Sequence, residues 1–297
     1  MADLLSVPSN PARRLRDLLA QPGPVVAPGA YDALSARLIE AAGFPAVYMT
    51  GFGTSASYLG RPDVGLMSMA EMVDQARRIA LAVNVPVIAD ADTGYGNPIN
   101  VVRTVRAYEN AGVAAIHIED QVMPKKCGHM EGKQVIPAGD MVQKVRAAVA
   151  ARSSADFVVV ARTDARAVEG FEAALDRCRR YREAGADVIF FEAPQTEDEI
   201  AAVAGAFEGT PLMFNWAEGG KTPPVSLERL RELGYAIVIF PISALLVAAR
   251  AVQEALGKIR HAGTPRAISD GMLPFSEFLE FIGLREIREL EQRFQSS

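Results

Sequence analysis

Histidine and cysteine are scarce in this chain, with three of the first and two of the second among 297 residues. Cys127 and Cys178 lie far apart, which excludes a disulfide framework and a cysteine zinc knuckle, and a reducing cytoplasm is the simpler setting. No uninterrupted apolar run reaches the roughly 18 residues a membrane span needs. The start, Met1-Ala2-Asp3-Leu4-Leu5, lacks the basic end and long apolar run of a secretory signal, so a cytoplasmic protein with no membrane association is expected. A basic excess is also missing: 31 Lys and Arg stand against 36 Asp and Glu, interspersed, and a net charge of −5 leaves no stripe for nucleic acid.

What the chain has is apolar residues, 49% of the total, arranged in short runs. Runs at 24–27, 46–50, 86–89, 114–118, 157–161, 187–191, 211–214 and 236–240 are bounded by Gly, Pro or polar residues and read as eight strands. Between them, 70–83, 100–111, 139–151, 170–184 and 226–233 carry amphipathic helical spacing. Several of the intervening segments close on glycine (Gly43, Gly112, Gly185, Gly234), which accepts the left-handed closing conformation. Continuous apolar strands alternating with helices imply a parallel sheet covered on both faces, and eight repeats imply a closed (β/α)8 barrel of the α/β class. An open doubly wound sheet would want a glycine phosphate loop after the first strand, and Pro28-Gly29-Ala30-Tyr31-Asp32 is not one. The expected division is a catalytic barrel over 1–260 and a helical extension over 261–297. In the extension, the stretch 274–294 presents Phe275, Phe278, Leu279, Ile282 and Leu284 as a docking face, either for a neighbouring subunit, swapped between copies, or for its own barrel.

Barrel enzymes build their sites at the carboxyl ends of the strands. Here those ends read Thr50-Gly51, Asp90 and Asp92, Glu119 and Asp120, Arg162 and Asp164, Glu192, and Asn215. Carboxylates converging on one mouth do not stay ionised cheaply without a cation. On an extended segment Asp90 and Asp92 point the same way, and with few His or Cys nearby the set favours a hard cation, Mg2+ or Mn2+, over zinc. The alternative is that the two aspartates cap the next turn. Arg162 matches a substrate carboxylate with its fork, or else balances Asp164 or Glu192. His117 either orients the acids or is a satisfied core histidine. Tyr48 shares a strand face with Thr50 and is a candidate proton relay.

The stretch from Glu119 to Lys133, Glu-Asp-Gln-Val-Met-Pro-Lys-Lys-Cys-Gly-His-Met-Glu-Gly-Lys, sets two acids at a strand end and follows them with a glycine-punctuated loop carrying Cys127. His129, Lys125 and Lys126 could each lower the thiol pKa, making Cys127 a proton donor or nucleophile. Gly128 and Gly132 are expected hinges for a closing lid. Cys178, on a helix, reads as inert packing, and Trp216 either walls the pocket or packs.

These residues resemble the isocitrate lyase and phosphoenolpyruvate mutase superfamily over nearly the whole chain. The most specific parts are Asp90-Ala91-Asp92-Thr93-Gly94-Tyr95-Gly96, His117-Ile118-Glu119-Asp120-Gln121 and Lys125-Lys126-Cys127-Gly128-His129, the last resembling the gating loop of the lyase branch. The resemblance implies Mg2+ at Asp90, Asp92 and Glu119 with Asp63 in reach, partly through waters. It also implies a 2-oxo or 2-hydroxy acid carboxylate bound by Thr50, Gly51, Phe52 and Arg162, with Lys125, Glu192 and Asn215 lining the pocket. Phe52 stands where a second glycine is common in methylisocitrate lyases, and Asn215-Trp216-Ala217-Glu218-Gly219-Gly220-Lys221-Thr222-Pro223 looks more like the 2-alkylmalate and dimethylmalate lyases. Pro241 departs from the serine usual in oxaloacetate hydrolases. The implied activity is metal-assisted cleavage of a 2-hydroxy di- or tricarboxylate to a 2-oxo acid such as pyruvate, by a homo-oligomer (dimer or tetramer) whose only other partner is its small carboxylate substrate. Its rivals are a carboxyphosphonoenolpyruvate-type phosphonomutase, an oxaloacetate hydrolase or decarboxylase, and a non-catalytic barrel.

Overall fold

The computed structural model describes Leu5 and residues 10–128 and 130–295. These fall into two compact units, one reaching Leu245 and the other beginning at Leu246, with Leu5 in the second. In the first, eight parallel strands close in sequence order into a barrel: β1 (Val25–Ala30), β2 (Val47–Met49), β3 (Val87–Asp90), β4 (Ala115–Glu119), β5 (Val158–Thr163), β6 (Val188–Phe191), β7 (Leu212–Asn215) and β8 (Ile237–Phe240). The (β/α)8 barrel expected from the alternating apolar runs is therefore present. Helices α1 (Pro11–Leu19), α2 (Ala33–Ala41), α3 (Gly51–Thr54), α4 (Met69–Ala82), α5 (Pro98–Asn110), α6 (Ala138–Ala151), α7 (Phe171–Glu183), α8 (Glu197–Ala206) and α9 (Leu227–Glu232) precede, follow or link the strands.

The period of two along each strand sorts its side chains into two cores. Ala27, Tyr48, Ile88, Val158, Val160, Val188, Phe190, Met213, Ile237 and Ile239 fill the barrel interior. Val47, Met49, Ala89, Ile116, Ile118, Val159, Ile189 and Val238 face the helices. Both rows are buried, which is why the strands read as unbroken apolar runs. Helix α1, which apolar periodicity did not reveal, brings Leu15 into the interior row at 0% exposure. Side-chain caps start the helices where the loops must turn: Ser68 and Glu71 form a reciprocal capping box on α4, as do Asn97 and Asn100 on α5.

Helix α10 (Ser243–Ala262) carries the chain into the second unit, which continues through a 3-10 turn at Pro265–Gly271 to α11 (Phe275–Phe281) and α12 (Leu284–Arg293). The single amphipathic stretch expected over 274–294 is broken in two. Gly283 takes a left-handed conformation, φ 94°, that ends one helix and redirects the next. Of the expected docking face, Phe275 is 77% exposed and Ile282 39%, while Phe278, Leu279 and Leu284 are half-buried. Among the described residues no helix is long and apolar enough to cross a membrane.

Leu15→Ala is expected to destabilise the barrel by about 2–5 kcal/mol, because the interior row cannot collapse onto the void. The midpoint of urea unfolding measures it.

Candidate active site

The register of the barrel sets functional side chains beside one another at the strand ends. Glu119 on β4 pairs with Arg162 on β5, and Asp90 on β3 pairs with His117 on β4. Seven buried carboxyl groups gather at this end, Asp63, Asp90, Asp92, Glu119, Asp120, Asp164 and Glu192, with five buried cations, Lys125, Lys133, Lys144, Arg162 and Arg177. Their burial registers on individual groups. Burial raises Glu119 well above the ordinary carboxylate range despite Arg162 and Lys125 nearby, and burial also raises Asp63 despite its pairing with Lys125.

The residues fit a hard divalent cation. The donors are all carboxylates, and Glu119 Oε1 is buried with no hydrogen-bond partner among the described residues. Among the described residues no three His, Cys, Asp or Glu side chains converge closely enough to hold a metal directly. Lys125 Nζ stands between the acids instead, 2.6 Å from Asp63 Oδ2 and 2.8 Å from Asp92 Oδ1. Such an arrangement suits an ion that keeps several waters, as Mg2+ does. One premise of the sequence reading is corrected: the extended segment stops at Asp90, and Asp92 turns into φ 47° with its N–H donating to Asp90 Oδ1 at 2.9 Å. Asp90 thus does the capping that was the alternative reading and lines the cavity, whereas Asp92 and Glu119 lie behind its wall, Asp92 reaching it through Lys125.

Arg162 is engaged on two sides. Asp164 takes Nε and Nη2 at 2.9 and 3.1 Å, and Glu119 Oε2 lies 3.3 Å from Nε. Nη1 is 3.8 Å from Glu192 Oε2, and the guanidinium stacks over the Phe190 ring at 5.1 Å. Asp164 is itself held well below the usual carboxylate range by Arg162 and Lys133, which outweigh its burial. Beneath these groups the Tyr48 hydroxyl meets His117 Nε2 at 2.7 Å, and Asp90 Oδ1 lies 3.4 Å from the same nitrogen. Burial lowers the His117 pKa, so the ring is neutral at pH 7, and burial keeps Tyr48 a phenol rather than a phenolate. His117 is thus a buried residue whose Nε2 faces both Tyr48 and Asp90, while its Nδ1 has no hydrogen-bond partner among the described residues.

The loop after β4 closes over the mouth. Its base is pinned by an antiparallel bridge between Gln121 and Val135. The Gln121 side chain clasps Lys126 at both its N–H and its carbonyl. Cys127 N–H donates to the Asp63 carbonyl at 3.2 Å, and the Cys127 carbonyl accepts from Met130 N–H at 2.9 Å. Gly128 is required by close approach rather than by hinging: a Cβ there would lie 2.3 Å from Glu192 Oε1 and 2.5 Å from Arg162 Nη2. Lys125 is committed to Asp63 and Asp92, and Lys126 to the Gly132 carbonyl at 3.0 Å. His129 lies outside the described residues.

The cavity, partly open to solvent, holds about 220 Å3. Tyr48, Thr50, Phe52, Asp63, Asp90, Lys125, Cys127, Arg162, Glu192 and Asn215 all line it, so most of the residues singled out in sequence share one chamber. Gly51 lies just outside the wall, against Asp90, where a side chain would overlap the carboxylate at 2.3 Å. Trp216 packs on Phe240 at 6.0 Å and gives its indole N–H to the Val225 carbonyl. Cys178 is fully buried, with its thiol pushed up by burial. Sequence reasoning missed Lys133 as a participant and Met130, Ile239 and Ile242 as cavity wall. The inward parity of β8 could have found Ile239; nothing in the local spacing marks Lys133.

Fold and site together define an enzyme of the (β/α)8 barrel class whose charged mouth is roofed by a thiol-bearing loop. The chain belongs to the phosphoenolpyruvate phosphomutase family, which matches it over residues 15–260. It is 50% identical to the 2,3-dimethylmalate lyase of Eubacterium barkeri, over 96% of this chain and 98% of that one. To the 2-methylisocitrate lyase of Aeropyrum pernix it is 47% identical, over 93% and 89%. Among solved structures, a 2,3-dimethylmalate lyase described as a PEP mutase/isocitrate lyase superfamily member superposes with a TM-score of 0.91 at 42% identity, covering 96% of each chain. Oxaloacetate acetylhydrolase with 3,3-difluorooxalacetate gives 0.92 at 40% identity, over 97% and 98%. Phosphonopyruvate hydrolase with oxalate and Mg++ gives 0.88 at 34%, over 96% and 99%. The expected placement on the carbon–carbon lyase branch is borne out by the curated relatives.

Glu119 provides a test by pH. Its folded pKa is raised above the unfolded value of 4.5, so the folded state binds the extra proton, and stability falls as pH rises through the window above 4.5. In chelator, Glu119→Gln is expected to melt above wild type at pH 8 and to lose that advantage toward pH 4, as read by thermal unfolding across pH.

Proposed function

We propose that this protein is a metal-dependent carbon–carbon lyase. Its substrate is a 2-hydroxy di- or tricarboxylate of the 2-alkylmalate, 2,3-dimethylmalate or 2-methylisocitrate type, and its products are a 2-oxo acid such as pyruvate and a second carboxylate. The observation that carries the reading is a single cavity walled by the Cys127 loop above, Arg162 at the side and buried carboxylates below. Met130, Ile239, Pro241 and Ile242 add an apolar wall suited to alkyl groups. The lyase names of the two relatives favour the same chemistry.

Mg2+, or Mn2+, would be held by Asp90, Asp92 and Glu119 with Asp63 in reach, partly through waters, and bound there it supplies Lewis-acid polarisation of the substrate's hydroxyl and carboxylate oxygens. Arg162, through the Nη1 side that now faces Glu192 at 3.8 Å, orients that carboxylate with Thr50, Gly51 and Phe52. Asn215 donates to Glu192 at 3.2 Å and keeps this acid turned along the cavity wall. Cleavage breaks the bond between the carbinol carbon and the carbon bearing the departing carboxylate. The hydroxyl proton passes to Tyr48 as Tyr48 yields its own to His117 Nε2, a transfer that spares the buried phenol from ionising. The electron pair stays on the departing carbon, and the Cys127 thiol protonates it. Closure of the loop excludes water while the carbanion exists.

The exposed Val247 and Val252 on α10 and Phe275 on α11 support a homo-oligomer, in which a second copy covers them. The absence of a disulfide between the cysteines suits a cytoplasmic setting.

Pyruvate release from 2,3-dimethylmalate, citramalate, 2-methylisocitrate and oxaloacetate, with Mg2+ and with chelator, tests the reading. Turnover is expected on an alkylated malate or methylisocitrate, with Mg2+ only. Cys127→Ser should lower kcat by about 10²–10⁴-fold. Full activity in that variant removes the thiol from the reaction, and full activity in chelator removes the metal. Light scattering on the purified chain checks the assembly, with a dimer or tetramer expected.

A further inference from the structure

We propose that Lys133 is a positioning residue which docks the Cys127–Gly128 turn onto the arginine that binds the substrate carboxylate. The inference rests on the thiol loop being the acid-bearing lid of the reaction above. Lys133 lies at the far end of that loop, yet its side chain is 2% exposed. Its Nζ donates to the Gly128 carbonyl and, at 2.8 Å, to Asp164 Oδ1. The same Asp164 oxygen accepts from Arg162 Nη2 at 3.1 Å, and its other oxygen accepts from Arg162 Nε at 2.9 Å. One carboxylate therefore seats both the arginine and the lysine that holds the lid.

The turn is fixed from two directions. On the entry side Cys127 N–H is tied to the Asp63 carbonyl, and on the exit side the next residue's carbonyl is tied to Lys133. Gly128 brings backbone rather than side chain against Arg162 and Glu192, so at this residue the turn is held through its carbonyl. A buried ammonium is costly unless its partners are in place. Lifting the turn removes one of the two partners recorded for Lys133 and leaves the ammonium on Asp164 alone. Closure thus satisfies a cation the loop already carries, and the thiol is delivered at a height set by Asp164 and Arg162.

Asp164 is in turn held from behind. Its N–H donates to Asp120 Oδ1 at 2.9 Å, and Asp120 Oδ2 accepts from Thr163, Tyr181 and Arg177. The latch therefore closes against a rigid wall.

The test uses the full-length protein with Lys133→Met and Lys133→Gln, the second retaining a donor for the Gly128 carbonyl. Alkylation of Cys127 by iodoacetamide is followed by peptide mass spectrometry, with buried Cys178 as the internal reference. Because this readout needs no substrate, it separates failure of the latch from failure of the proposed reaction. Lys133→Met is expected to raise the Cys127 rate about tenfold or more with Cys178 still protected. On the best substrate of the panel, kcat should fall about 10–100-fold with KM moving less than about threefold, the pattern of a lost transition-state interaction. Lys133→Gln should recover part of both. An unchanged alkylation rate in folded Lys133→Met overturns the proposal, as does a variant whose kcat is intact. Should the Met variant fail to fold, Lys133→Ala, which likewise has no donor for the Gly128 carbonyl, is compared with wild type, and equal alkylation rates count against the latch.

Discussion

Arg162 enters the barrel mouth with Asp164 bidentate on one edge, Glu119 3.3 Å from Nε and Glu192 3.8 Å from Nη1. A guanidinium loses its charge least readily of all side chains, so this cation stays in place whatever the neighbouring acids do. Those neighbours depend on it. Asp164 is kept ionised by it, Glu119 is kept from rising further, and the backbone of Gly128 rests against it. Removing a partner from a buried charge group costs more than the pair itself contributes, so the mouth behaves as one unit rather than as separable residues.

The pairing of charges in the mouth is incomplete at one atom. Lys125 satisfies Asp63 and Asp92, but nothing satisfies Glu119 Oε1 among the described residues. Lys125 belongs to the lid and the acids belong to the barrel, so loop position and charge balance in the mouth are linked. The same loop brings a second lysine, Lys133, to the opposite side of Arg162. The lid is thus held to the barrel by charge at two points, with the thiol between them.

Much of this was legible in the sequence because strands buried on both faces have a strong signature. Once the eight apolar runs are aligned, the residue after each run must face the mouth, and Thr50, Asp90, Glu119, Arg162, Glu192 and Asn215 followed from that rule alone. What was not legible depends on geometry that spacing does not carry. Asp92 was placed on an extended segment, but its left-handed turn is set by the hydrogen bond to Asp90. Lys133 is five residues from Gly128 in a loop without periodicity, and only the folded loop brings the two together. The tail read as one helix because apolar spacing continues across Gly283, where a single backbone conformation interrupts it. Helix α1 was missed because Arg13, Arg14 and Arg16 dominate its sequence, although Leu15, Leu18 and Leu19 pack on the interior row.

The bare backbone at Gly128 also bears on how such enzymes diversify. Any side chain there would strike Arg162 and Glu192, so the position offers selection no variation to act on. Two residues further on, Met130 lines the cavity from the same loop with an unbranched, adaptable side chain. Substrate range in this scaffold can therefore drift through residue 130 and the facing wall at Ile239 and Ile242, while the chemistry stays frozen at 127 and 128. A selective inhibitor would exploit the same split, anchoring a carboxylate on the charged half and reading the apolar half with its alkyl groups.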